Sequence, residues 1–82
     1  MKDLFKIDLS ETSTNDEALA HLAALPALQW LNLWNSFVTD EGLAHLKAAK
    51  KLTYLNLEGT STSPEVIAEL KNELPKLEVV TQ

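Results

Sequence analysis

Apolar residues along this chain change their spacing in a regular way. In "LQWLNLWNSFVTDEGLAHL", residues 28–46, Leu31 and Leu33 stand two apart, the period of a half-buried strand, whereas Leu43 and Leu46 stand three apart, the period of a helix face. The same switch occurs on either side. Ile7 and Leu9 give way to Leu19, Leu22 and Leu25, and Leu55 and Leu57 give way to Ile67, Leu70 and Leu74. The strand halves "LFKIDLSET", "LQWLNLWNS" and "LTYLNLEGT" begin at Leu4, Leu28 and Leu52, each 24 residues after the last. The chain is therefore an internal repeat with one strand and one helix per unit. A further strand is expected from Leu77, with Val80 in the place of Ile7, Leu31 and Leu55 and one extra residue absorbed in "LKNELPKL".

Polar residues mark the junctions. Asn15, Thr39 and Ser63 fall at matching positions ahead of the helical patterns, and all three are favoured N-cap residues. Asp16, Asp40 and Pro64 come next, then Glu17, Glu41 and Glu65. Carboxylates in a first turn face the positive end of the helix dipole, and proline suits the first helical position because the missing N–H has no partner there anyway.

With strand signature L-x-x-(I/L)-x-L-x-x-(S/T) and "VTDEGLAHL" after it, the chain resembles the leucine-rich repeat family over almost its whole length, Leu4 to Val80. The resemblance implies an α/β fold: a short, curved solenoid of about three repeats, beginning near residues 4, 28 and 52, plus a final strand near 77. Parallel strands would line the concave face and helices the convex face, in a single domain, 1–82. The units are not identical. Val38, the usual apolar residue of the turn, is matched by Thr14 and Thr62; Gly42 is matched by Ala18 and Val66; and the strand ends at Thr12, Ser36 and Thr60, whose hydroxyls are expected to bond neighbouring backbone.

Composition narrows the chemistry. The 82 residues are 45% hydrophobic without any long apolar run, which describes a soluble chain with no segment able to span a membrane. "MKDLFKIDLS" lacks the features of a signal peptide, so as it stands the chain is expected in the cytoplasm. There is no cysteine, hence no disulfide or thiolate metal site. Net charge is -5 and every basic residue is lysine, which argues against nucleic acid and against anionic membrane surfaces as partners. Lys47, Lys50 and Lys51 read as a solvated helix end.

Candidate chemistry gathers on the strands. With Leu31 and Leu33 inward, alternation turns Trp30, Asn32 and Trp34 outward, onto a sheet face shared with Lys6, Asp8, Tyr54, Asn56 and Glu58. At a strand separation of about 4.8 Å, Trp30 and Tyr54 should touch, and Trp34 should lie about 13 Å along its strand from Trp30. Outward tryptophans and tyrosines are characteristic anchors of protein interfaces, but aromatic residues also pair across strands with no ligand involved. Phe37 extends the patch or stands alone at the turn. His21 and His45 occupy equivalent helix positions, but the third unit has Glu69 there, and two imidazoles make too few ligands for a zinc site. No Gly-rich phosphate loop or nucleophile motif occurs.

These features point to a non-catalytic module without cofactor or metal that binds a protein partner through the aromatic face. The alternative is a structural repeat, engineered or excised from a larger array, that forms homodimers through the same patch or through an edge strand at Leu4 to Leu9.

Overall fold

A computed structural model describes residues 6–81, so the start of the first strand half at Leu4, and with it part of the edge expected from Leu4 to Leu9, lies outside the described residues. Strands β1 (Lys6–Asp8), β2 (Trp30–Asn32), β3 (Tyr54–Asn56) and β4 (Glu78–Val80) alternate with helices α1 (Asp16–Leu22), α2 (Asp40–Leu46) and α3 (Pro64–Glu73). The strands form one parallel sheet in the order β1-β2-β3-β4. Parallel neighbours need a crossover between them, and each helix supplies one. The register follows the sequence repeat: Ile7 pairs with Leu31, Leu31 with Leu55 and Leu55 with Val79.

The core lies between the sheet and the helices. Leu31, Leu33 and Leu55 from the sheet side and Leu19, Leu43, Leu46 and Leu70 from the helices are all fully buried, as is Val38 in the central turn. The end units are less enclosed. Ile7, Leu9, Leu22 and Leu25 on one side and Val66, Ile67 and Val79 on the other are only partly covered. Thr14 and Thr62, which replace Val38 in those units, each share a hydrogen bond with a hydroxyl two residues earlier, Thr12 and Thr60, at 2.6 and 3.1 Å. The smaller core of the outer turns is thus offset by a polar contact that valine cannot make.

All three helices begin at the residues the N-cap pattern marks, but the caps differ. The Asn15 side chain accepts from the Ala18 N–H and the Ser63 side chain from the Val66 N–H, whereas the Thr39 hydroxyl makes no such bond and donates instead to Asp16. The Asp16 carboxylate also accepts the Thr39 N–H at 2.6 Å, and the Asp40 carboxylate accepts the Ser63 N–H at 2.7 Å. The first-turn carboxylate of one helix thus fastens the start of the next. Gly42 leaves the room this needs, because a Cβ there would stand 2.5 Å from Asp16 Oδ1.

After each of the first three strands the chain turns through a left-handed residue at the same position: Glu11 (φ 56°), Asn35 (φ 59°) and Gly59 (φ 79°). Gly59 is the most constrained, since an added Cβ would lie 2.9 Å from Asn35 Oδ1 in a conformation that already disfavours side chains. The hydroxyls of Thr12, Ser36 and Thr60 donate to the carbonyls of Leu9, Leu33 and Leu57, each three residues earlier in its own unit.

Two sequence expectations need correction. It is Val79, not Val80, that stands opposite Leu55, and Val80 stands opposite Asn56. Trp34 lies beyond β2, which ends at Asn32, so it belongs to the turn rather than to the strand.

Candidate binding face

Two rows of side chains cross the sheet on the side away from the helices, and a third continues them through the turns. The first contains Lys6, Trp30, Tyr54 and Glu78, brought side by side by the register. Trp30 and Tyr54 stack with ring centroids 5.0 Å apart and planes only 8° from parallel. Lys6 Nζ lies 4.9 Å from the centroid of the Trp30 ring, within range of a cation–π attraction. Both aromatic side chains are half-buried by these contacts.

Asp8, Asn32 and Asn56 form the second row, and each has the same local task. A side-chain oxygen accepts the backbone N–H two residues on: Ser10 for Asp8, Trp34 for Asn32 and Glu58 for Asn56, at 3.0, 3.0 and 2.9 Å. These Asx-type turns bend the chain out of the sheet. They use the oxygens, and each asparagine also carries an amide NH2 donor that this turn does not employ. In Asp8 the Ser10 backbone N–H, then the Ser10 side chain, hold the carboxyl below its ordinary value of 3.8, with Lys6 contributing.

The third row runs through the turns, where Ser10, Trp34 and Glu58 occupy equivalent positions. Backbone bonds keep these segments adjacent past the strand ends: Glu11 N–H donates to the Trp34 carbonyl at 2.7 Å and Asn35 N–H to the Glu58 carbonyl at 2.8 Å. Trp34 is 38% exposed and Phe37, further along the same turn, 68% exposed. They are the exposed large apolar side chains among the described residues. All eight residues singled out on the sequence thus lie in these three rows, though they divide into an internally satisfied stack, a set of turn-formers and an exposed indole beside a carboxylate.

Concave space lies elsewhere. One open groove of about 610 Å³ runs along the outer side of the third unit, against Leu57, Gly59, Pro64, Ile67 and Lys71. Another of about 600 Å³ sits by the helix C-terminal ends, between Lys50, Lys51, Glu73 and Lys76. The first reaches Glu58, and neither of the two is lined by Trp30, Trp34 or Tyr54. Lys47 and Lys50 pair with Glu69 and Glu73 on α3 at 3.8 and 4.0 Å, exposed contacts of the kind that contribute little.

His21 and His45 are exposed on α1 and α2. Among the described residues, no three His, Cys, Asp or Glu side chains gather as a metal site would require, and no helix is long and apolar enough to cross a membrane. Sequence reasoning missed the Asp16 and Asp40 contacts across units and the turn role of the Asp8, Asn32 and Asn56 row. Recurrence of these residues every 24 positions was the available signal in both cases. In comparisons with known proteins, no family model matches the chain and no curated protein matches it.

Proposed function

We propose that the chain is a leucine-rich repeat solenoid whose sheet face binds a protein partner without catalysis. The observation that carries the binding role is the exposure of Trp34, 38% of whose surface is left in water in the turn after β2. A large indole on a turn whose backbone is tied to its neighbours exposes apolar area that a partner could bury, which is the property of an interface anchor. Asn32, Asn56 and Glu58 on the adjacent rows, and the Lys6-capped aromatic stack two rows away, offer polar groups that would fix a partner's orientation. The repeat reading rests on the L-x-x-L-x-L strands recurring in register at 24 residues. An acidic, all-lysine composition argues against nucleic acid as the partner.

A second reading has its own support. The Trp30–Tyr54 stack with Lys6 above it is what a purely structural ladder of cross-strand aromatics looks like, so these two residues can serve the sheet alone. A structural repeat that self-associates through Trp34 would then need no other partner. Trp34→Ala separates the two. On the binding reading, a partner captured by the immobilised wild-type chain is lost from the variant while circular dichroism and the monomeric mass stay unchanged. Loss of a dimer in the variant, by light scattering, would support self-association instead, and capture unaffected by the substitution would contradict the binding reading.

A further inference from the structure

The two tryptophans of the face differ in what already covers them. Trp30 is occupied within the chain: Tyr54 stacks on it and Lys6 Nζ stands 4.9 Å from its ring centroid. Trp34 has Ser10 and Glu58 at the equivalent neighbouring positions, and among the described residues it makes no aromatic stack and no cation–π contact. Across the strand register its neighbour on one side is Glu58, joined through the Asn35 N–H to Glu58 carbonyl bond of 2.8 Å, and the half-buried Glu58 side chain also borders the groove of the third unit.

We propose that Trp34 and Glu58 together hold the cationic side chain of an arginine or lysine presented by an extended segment of the protein partner. This inference rests on the binding role proposed for the sheet face. An indole offers its negative ring face to a cation, and a carboxylate beside it supplies the counter-charge, so the same group satisfies both. Arginine suits the pair best, because its planar guanidinium can lie on the ring while its N–H groups point to the carboxylate. Lys6 over Trp30 shows the first half of this arrangement formed within the chain.

Charge across the face agrees. Asp8, Glu58 and Glu78 stand on the three rows against a single cation, Lys6, and that cation is placed over Trp30. The whole chain carries a net charge of -5, so a basic segment is drawn toward it and an acidic one repelled. Asn32 and Asn56 add amide donors for the carbonyls of an extended backbone lying across the strands.

The test uses three short synthetic peptides that differ at one residue: arginine, its uncharged isostere citrulline, and glutamate. Each is titrated into the wild-type chain with tryptophan emission as readout. The arginine peptide should bind saturably, about fivefold or more tighter than the citrulline peptide, and the glutamate peptide should bind weakest. Glu58→Gln should weaken the arginine peptide about fivefold and leave the citrulline peptide unchanged. Glu65→Gln, in the first turn of α3, is the control for net charge and should alter neither preference. Equal binding of arginine and citrulline peptides, lost together in Trp34→Ala, would overturn the cation site while leaving the face as a binding surface. If no peptide binds, the cation site is contradicted, and if Trp34→Ala binds all three as the wild type does, the role of Trp34 as the anchor of the binding face is contradicted with it. Circular dichroism of each variant shows whether the fold is kept, and Trp34→Phe, which retains a ring, provides the second variant should the alanine fail to fold.

Discussion

Asp16 carries more of this molecule than its place in a helix first turn suggests. Its carboxylate takes both the N–H and the hydroxyl of Thr39, so it holds the beginning of α2 against the beginning of α1. Asp16→Ala leaves the part-buried Thr39 N–H without its acceptor and should destabilise the chain by about 1–3 kcal/mol, read as a lower urea midpoint with an unchanged slope. Asp8 makes a different prediction. Its carboxyl is held below the ordinary value by Ser10, so its contribution to stability is present above about 3.8 and is lost as pH falls through the lowered value. Asn32 and Asn56 make the same turn with no titratable group, so Asp8→Asn should keep the fold and soften the loss of thermal stability below about pH 4 relative to the wild type. The sequence shows that both residue types recur but not what they bond. The partner of Asp16 is 23 residues away, and only the stacking of helices brings it near. The left-handed turns were equally hidden, because Glu11, Asn35 and Gly59 share a backbone conformation and no side-chain chemistry.

At the level of elements, burial at this helix position falls off toward the first unit. Leu46 on α2, with α1 and α3 packed on its two sides, and Leu70 on α3 are fully buried, whereas Leu22 on α1 is only partly covered. Truncating a buried leucine loses transfer free energy and leaves a cavity, while at a half-open site water or neighbours fill the space. Leu46→Ala should therefore cost about 3 kcal/mol and Leu22→Ala about half as much, by equilibrium denaturation. Element starts were well marked in the sequence because capping and first-turn residues act locally. The fourth strand was not. Leu77 N–H bonds the Leu74 carbonyl just as Leu52 N–H bonds that of Ala49, so the turn before the strand is conserved in form one residue late. Two residues separate Leu52 from inward Leu55, but only one separates Leu77 from inward Val79. An insertion and a deletion cancel, and the leucine spacing followed on the sequence records only the insertion.

On the scale of the whole molecule, the parallel sheet with helices on one side follows from the alternation of two apolar periods. A strand that must pair with the next in parallel can return only over the same face, and a constant interval fixes the register. The carboxylate link between units runs from α1 to α2 and from α2 to α3, and Pro64, which replaces the aspartate in the third unit, offers no acceptor to continue it. The aromatic rows were legible in outline, since alternation alone turns Trp30 and Tyr54 outward, but the difference between the satisfied Trp30 and the open Trp34 depends on ring geometry that no spacing reveals. The proposed binding role stands on that difference. Its most direct test is the emission and acrylamide quenching of Trp34 as the sole tryptophan, in a Trp30→Phe variant, with the mass in solution measured on the same samples. The account predicts a monomer with red-shifted, readily quenched emission, an indole wet and available to a partner. Blue-shifted emission protected from quenching, in a monomer or in a dimer, would mean that the chain already covers Trp34 itself, and would contradict the claim that this face is open for binding.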